Sequence, residues 1–251
     1  MKLCRQLALL LLAWPLALAA GTADVLGQQG LAAEAHFDAK TALGLFLKAD
    51  AARPNDPFIL EKISKQYSDS IIDTADPDEK KRRAEKAVAY AQRAVALEPK
   101  SAINLTSLAV SYGKLGFYSS TRTEIAYSRL VKDYAERALA LNPNYDWACH
   151  VLGRWNYEIA SIGATERFFV KLAYGSLPDA STAEAVRLLR RAVVLAPQMP
   201  AHHAELGFAY LADKQPDLAR TEFESAIRLP LQQKYDIEEK VRAQAALETL
   251  P

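Results

Sequence analysis

An all-α solenoid of stacked helical hairpins is the fold this sequence predicts, and three observations carry the prediction. Similar phrases recur along the chain, LFLKADAARP, YAQRAVALEP, YAERALALNP, LLRRAVVLAP and FESAIRLP, and self-similarity at a steady period is the mark of a stacked repeat. Each phrase holds an aromatic, leucine or small residue, then alanine three positions later, then proline. The sets are Phe46, Ala49 and Pro54; Ala91, Ala94 and Pro99; Ala135, Ala138 and Pro143; Leu189, Ala192 and Pro197; and Phe223, Ala226 and Pro230. Finally, hydrophobic residues make up 50% of 251 residues with only 10 glycines, the composition of a chain that packs a core.

Each phrase is the end of a second helix. Upstream of four of them lies a first helix that carries, in whole or in part, a large residue, a small one and then an aromatic three later: Leu60, Ile63, Ser64 and Tyr67; Leu105, Leu108, Ala109 and Tyr112; Leu152 and Gly153; Leu206, Gly207 and Tyr210. The last unit is the most complete, with Leu206, Gly207, Tyr210, Ala219, Phe223 and Ala226 at the spacings of the 34-residue tetratricopeptide repeat. Two antiparallel helices approach closely only where small residues meet, so Gly207 and Ala219 are expected to face each other while Tyr210 and Phe223 fill the space around them. Proline then stops the second helix, because it has no N–H for the next hydrogen bond and drives the preceding residue out of helical geometry. One hairpin cannot cover its own apolar face, so the units stack into a curved row with a concave side.

The elements follow in order. Residues 1–19 read as a secretory signal: Lys2 and Arg5 precede an apolar run from Leu7 to Leu18, and Ala17-Leu18-Ala19 supplies a small-x-small cleavage site after Ala19. The run is short for a bilayer and Pro15 interrupts it, so an uncleaved membrane anchor is the alternative and membrane contact arises only in that case. The repeat domain occupies 20–251, with approximate units at 23–56, 57–101, 102–145, 146–199 and 200–233, and a capping helix at 234–250. Three units are lengthened between their helices. The first insertion, about Asp73 to Glu79, ends in a helix start with Asp76 as cap, Pro77 in first position and Glu79 completing a capping box. The second, near Gly116 to Thr123, extends the flanking helices. The third runs from about Ser161 to Asp179 and contains Phe168, Phe169, Leu172 and Tyr174, expected to pack over the solenoid because large exposed apolar patches are uncommon; Ser181 and Glu184 then restart a capped helix.

Lys+Arg 31 against Asp+Glu 30 gives a net charge of +1, so no broad electrostatic footprint for nucleic acid exists. The run Lys80-Lys81-Arg82-Arg83 is flanked by Asp76, Asp78, Glu79 and Glu85 and reads as a solvated helix face. Cleavage would remove Cys4 and leave Cys149 alone, with no internal disulfide. No GxSxG, glycine-rich phosphate loop, HExxH, paired CxxC or Cys-His arrangement is present in the sequence. No catalytic residue, cofactor or metal is therefore expected. His202, His203 and Glu205 are the one cluster with the look of ligands, but two groups on one face do not make a zinc site.

The stretch His150-Val151-Leu152-Gly153-Arg154-Trp155, the FFVKLAYGSLPDAST insertion, His202 to Gly207 (HHAELG) and the ending around Leu229-Pro230 resemble the regulator of microtubule dynamics family. The resemblance runs from about Phe46 to the C-terminus and implies a tetratricopeptide-like binding protein of an exported, bacterial kind. Animal members associate with microtubules or organelle membranes; an export signal would take this chain away from a cytoskeleton.

In the expected register, the first helices point Glu61, Lys65 and Asp69, then Thr106 and Lys114, then Trp147, His150, Arg154, Tyr157 and Glu158, then Phe208 into the concave groove. The fourth unit stands out, since arginine grips a carboxylate and aromatic residues supply rigid apolar area. The competing reading makes Trp147 and Trp155 core and pairs Arg154 with Glu158 one turn on. The function expected is a non-catalytic scaffold of the cell envelope or secretory compartment that binds an unknown protein or peptide, with partner-binding groove residues Glu61, Lys65, Trp147, His150, Arg154, Tyr157 and Glu158. The alternative is an envelope enzyme or metal-binding factor with an unrecognised site, using His150 and Glu158.

Overall fold

The computed structural model describes residues 21–250; the expected signal of residues 1–19, Cys4 included, lies outside them. The described residues are helical with no strand among them. In order the helices are α1 (21–35), α2 (Ala39–Ala52), α3 (Pro57–Asp69), α4 (Pro77–Leu97), α5 (Ala102–Gly116), α6 (Thr121–Leu141), α7 (Asp146–Ala160), α8 (Ala164–Tyr174), α9 (Thr182–Leu195), α10 (Pro200–Ala212), α11 (Pro216–Arg228) and α12 (Tyr235–Thr249), with a 3-10 turn, Ser70–Asp73, after α3.

The recurring prolines act at one fixed place. Pro54, Pro99, Pro143, Pro197 and Pro230 each stand two residues past the last residue of α2, α4, α6, α9 and α11. The residue between donates its N–H back one turn: Arg53 to Ala49, Glu98 to Ala94, Asn142 to Ala138, Ala196 to Ala192 and Leu229 to Ser225. Each helix thus closes its final hydrogen bond just before a residue that has no N–H to give. At the other ends, Asp38, Asp56, Asp76, Ser101 and Ser181 accept from free N–H groups of the first turn, which removes orphan donors. The capping box expected at Glu79 does not form. Asp76 N–H takes Thr74 Oγ1 at 3.2 Å, and Glu79 binds Arg82 and Arg83 instead, at 2.8 and 2.7 Å.

Among the first helices of the hairpins, α3 touches α5, α5 touches α7 and α7 touches α10, while the second helices α4, α6, α9 and α11 make no comparable contact with one another. One row is crowded and the other splayed, so the stack is concave on the side of α3, α5, α7 and α10. Close approach within a hairpin depends on missing side chains. A methyl at Gly207 would stand 2.5 Å from a ring carbon of Phe223, and one at Gly153 would stand 2.6 Å from Leu189 Cγ. All three atoms nearest to such a methyl at Gly207 belong to the buried ring of Phe223. Gly30 meets Phe46 in the same way at 2.6 Å, with the same sequence separation, so the first hairpin repeats the packing of the last.

The second insertion is absorbed as helix, because α5 and α6 are separated only by residues 117–120. The third contradicts its expectation: α8 has no buried residue, and Phe168, Phe169 and Leu172 are 61%, 61% and 76% exposed. The core beneath is filled by Trp155, Leu177 and Ala180. The insertion is anchored at its end by Leu177 on that core and by Arg129 donating to Tyr174 O and Ser176 O at 3.2 Å, while the α8 face that carries Phe168, Phe169 and Leu172 stays open. At the end of the row, α12 packs on α10 and α11 with Ala243 buried.

Candidate functional site

Where the hairpins bring α7 and α10 side by side, the concave surface is polar and buried. Glu205 of α10 is fully buried and receives Arg154 Nη1 at 2.9 Å, Arg242 Nη1 at 2.7 Å and the Tyr157 hydroxyl. Arg242 belongs to α12 and also grips both oxygens of Glu239 at 2.7 Å; Arg154 lies 3.5 Å from Glu239. Two carboxylates and two guanidiniums balance, which is the condition for burying charge without leaving one uncompensated. Burial works against ionised Glu205, yet Arg154 and Arg242 overcome it and hold its carboxyl low. Burial and the neighbouring Glu205 charge push Glu239 the other way, up to about 7.

Beside this cluster, His202 Nε2 meets Asp146 Oδ2 at 2.9 Å and His150 Nδ1 meets His202 Nδ1 at 3.0 Å. The two imidazoles therefore share one proton across the Nδ1···Nδ1 contact, one ring donating and the other accepting. Burial and His202 depress His150 well below the usual imidazole range, leaving it a neutral hydrogen-bonding group. Trp147 covers both rings, at 4.7 and 4.8 Å.

The groove is not empty. The chain leaves α11, crosses the inner row and starts α12 with Tyr235 inserted among the predicted groove residues. The Tyr235 hydroxyl accepts from Arg154 Nη1 at 2.6 Å, its ring lies 6.3 Å from Trp147 and 6.2 Å from His150, and Lys114 Nζ stands 5.2 Å over its face. Lys234 reaches Asp73 at 2.6 Å. Asp236, fully buried, accepts from the backbone N–H of Gln232 at 2.7 Å, Gln233 at 3.0 Å and Ala201 at 3.3 Å, fastening the crossing segment to α10.

Of the predicted residues, Trp147, His150, Arg154 and Tyr157 therefore converge under the chain's own C-terminal segment. Glu158 stays outside, 44% exposed and paired with Arg154 Nε at 2.7 Å, so Arg154 makes the local pair and the long-range one together. His150 and Glu158 are eight residues apart on one helix, about 12 Å along the axis, and share no contact. Thr106 is buried and its hydroxyl has no partner among the described residues, and Phe208 packs its ring on Phe223 at 4.9 Å and under Arg242 at 4.4 Å. Glu61 and Lys65 belong to the far end, on α3. Lys65 binds Asp69 at 2.6 Å and Glu34 at 3.3 Å. There a cavity of about 250 Å³ opens between α1, α3 and residues 232–234, lined among others by Glu34, Lys65, Gln66 and Asp69. Sequence reasoning missed Tyr235, Asp236, Glu239 and Arg242; the one signal was an aromatic and an acid heading an otherwise polar helix. No group of three or more His, Cys, Asp or Glu suited to a metal occurs among the described residues.

Hairpins stacked in a curved row, small residue against large within each pair, define a tetratricopeptide-type helical solenoid. A thermophilic TPR protein of Thermus thermophilus shares this fold, with a TM-score of 0.66 at 19% identity over 90% of this chain and 99% of that one. The chain belongs to the family described as Regulator of microtubule dynamics protein 1-3, whose model matches residues 23–251. Regulator of microtubule dynamics protein 1 of Bos taurus is 29% identical over 115 residues, 46% of this chain and 36% of that protein. Protein 3 of Xenopus laevis is 28% identical over 138 residues, 55% and 30%, and protein 1 of Caenorhabditis elegans 26% over 141 residues, 56% and 62%. The matched region thus spans about a third of the cattle and frog relatives.

Proposed function

We propose that this chain is an exported, non-catalytic interaction scaffold whose concave face holds an extended segment of a protein partner. The observation that carries the reading is the chain's own crossing segment: the inner row already grips a stretch of polypeptide through the Tyr235 hydroxyl on Arg154 and Lys234 on Asp73. A partner segment enters by taking the place of residues 229–235, with an aromatic side chain seated between Trp147 and Lys114. The ionisable groups of the fourth unit serve this grip: His150, Arg154 and Tyr157 each spend their polar atoms on protein neighbours. Export to a periplasmic or secreted location rests on Lys2, Arg5, the apolar run to Leu18 and the Ala17-Leu18-Ala19 site. The relatives' names speak of microtubule dynamics, but an exported chain meets other partners.

The test is in-cell photo-crosslinking of the tagged full chain with the probe at Lys65. Tyr235→Ala loosens the resident segment and is expected to raise the yield of one discrete partner adduct several-fold, with an unchanged circular dichroism spectrum. An equal yield from wild type and variant refutes displacement. A reporter fused after the leader that stays inactive outside the cytoplasm refutes export.

A further inference from the structure

We infer that α8 is a membrane-interface helix that lays Phe168, Phe169 and Leu172 into the surface of an anionic phospholipid bilayer. These three residues, exposed by 61%, 61% and 76%, fall on one side of the helix, and the two phenylalanine rings meet edge to face at 5.7 Å. No residue of α8 is buried and no other helix packs along it. Phe117, 70% exposed directly after α5, belongs to the same edge of the stack: α5 and α7 lie side by side, and Tyr118 packs on the core that also takes Ile162 at the start of the insertion. Four large apolar side chains thus stand in water along one edge, an arrangement that marks an interaction surface.

Charge decides what covers this edge. Arg167 and Lys171 lie on α8 itself, Arg129 holds its C-terminal end, and the Arg122 guanidinium stands 6.0 Å over the Tyr174 ring. None of the four pairs with a carboxylate among the described residues. Arg167 donates to Ile162 O, and Arg129 to Tyr174 O and Ser176 O, all at 3.2 Å, while Lys171 has no partner there. Glu166 is the one acid on α8, with Glu124 beside Arg122 and Asp179 beyond Tyr174 in the chain, so cations stay in excess. Phenylalanine and leucine on one face, with unpaired lysine and arginine behind them, are what an interfacial helix presents: the apolar face enters the acyl boundary and the cations meet phosphates. A helix standing alone is convex, and a protein partner would need a groove cut to it, whereas a fluid bilayer needs none. A second copy fits less well. Four side chains of this size, about two-thirds exposed, offer less than the roughly 800 Å² per partner of a stable interface, and pairing would set Lys171 and its neighbours against like charge. The helix lies outside the groove residues and outside residues 1–19, so membrane contact here requires neither partner capture nor an anchor.

An environment-sensitive nitrobenzoxadiazole amino acid is placed at Phe169 of the full chain, and vesicles of phosphatidylcholine, alone or mixed in equal parts with phosphatidylglycerol, are titrated in. The dye sits on α8, so it reports this face whatever the N-terminal residues do. With the mixed vesicles its emission is expected to rise and shift to the blue, and lipids spin-labelled on the acyl chain should quench it. Phosphatidylcholine alone should need about tenfold more lipid or beyond for half the change, because it lacks an attraction worth about fivefold per cation. Leu172→Ser should raise the half-saturating lipid concentration about tenfold, the worth of one large apolar side chain withdrawn from water. Lys171→Gln, at an exposed and unpaired position that leaves the fold alone, should raise it about fivefold. Emission unchanged by either vesicle overturns the inference and leaves the face to a protein partner. Equal titration by both vesicles overturns it as well, and a shift driven by protein concentration without lipid assigns the face to a second copy of the chain. The partner adduct captured at Lys65 is untouched by any of these results.

Discussion

Gly207→Ala and Gly44→Ala make the same chemical change inside helices and should shift stability in opposite directions. At Gly44 on α2 a Cβ meets nothing within 4 Å, so the substitution contributes only the better helix propensity of alanine, about 1 kcal/mol of stabilisation. At Gly207 the new methyl would stand 2.5, 2.6 and 3.0 Å from three ring carbons of Phe223. Phe223 is fully buried and can retreat only by pushing its own neighbours, an overpacking that costs about 2 kcal/mol. Set against the same gain of about 1 kcal/mol in propensity, the net is about 1 kcal/mol of destabilisation. For a chain of this size each kcal/mol moves Tm by about 3 °C, so the two variants should melt about 6 °C apart, Gly44→Ala above wild type and Gly207→Ala below it. Thermal melts followed by circular dichroism, with urea titrations to check the m-value, read this directly. A rise in Tm for Gly207→Ala comparable to that of Gly44→Ala would show that hairpin closure does not depend on the glycine–phenylalanine contact.

Removing Glu205 leaves Arg154 and Arg242 with Glu239 as the one buried carboxylate between them and strips the Tyr157 hydroxyl of its acceptor, so Glu205→Ala should cost about 4 kcal/mol, whereas Glu158→Ala, losing an exposed partner of the same arginine, should cost about 0.5 kcal/mol; urea denaturation separates the two. Glu239 titrates at about 7 when folded against 4.5 for an unperturbed side chain, so the folded state takes up its proton first. Its contribution to stability therefore grows as pH falls from about 7 toward 4.5, and the penalty for burying its charge is fully felt above 7. The Tm difference between wild type and Glu239→Gln should accordingly change between pH 8 and pH 5, with wild type gaining on the variant as the solution is acidified. Phe168→Ser and Leu172→Ser on exposed α8 should leave stability within about 0.5 kcal/mol of wild type, and a larger loss would mean that this face is covered.

Much of the fold was legible in the sequence because its signals act over one turn of helix. A proline placed after Ala49, Ala94, Ala138, Ala192 or Ala226 ends a helix through hydrogen bonds made within four residues, and Asp76 and Ser181 start helices by the same short reach. The glycine of the last unit was legible as a close approach, and the ring that fills the space there is that of Phe223, one turn after Ala219 on the same helix. Exposed α8 and the unused capping box at Glu79 were misjudged for a related reason: each depends on whether a competitor, a filled core or a nearby arginine, is present in space.

The candidate site divides along the same line. The sequence placed Trp147, His150, Arg154 and Tyr157 on the concave side, because helical register alone decides which face a residue occupies. Only the tertiary structure brought Tyr235 onto Arg154 from 81 positions away and Glu205 onto Arg154 from 51. Those meetings are set by the curvature of the whole stack and by the path of the chain after Pro230. No local hydrogen bond or periodicity encodes them, so a helix that reads as a simple cap becomes, through its first two residues, the occupant of the groove.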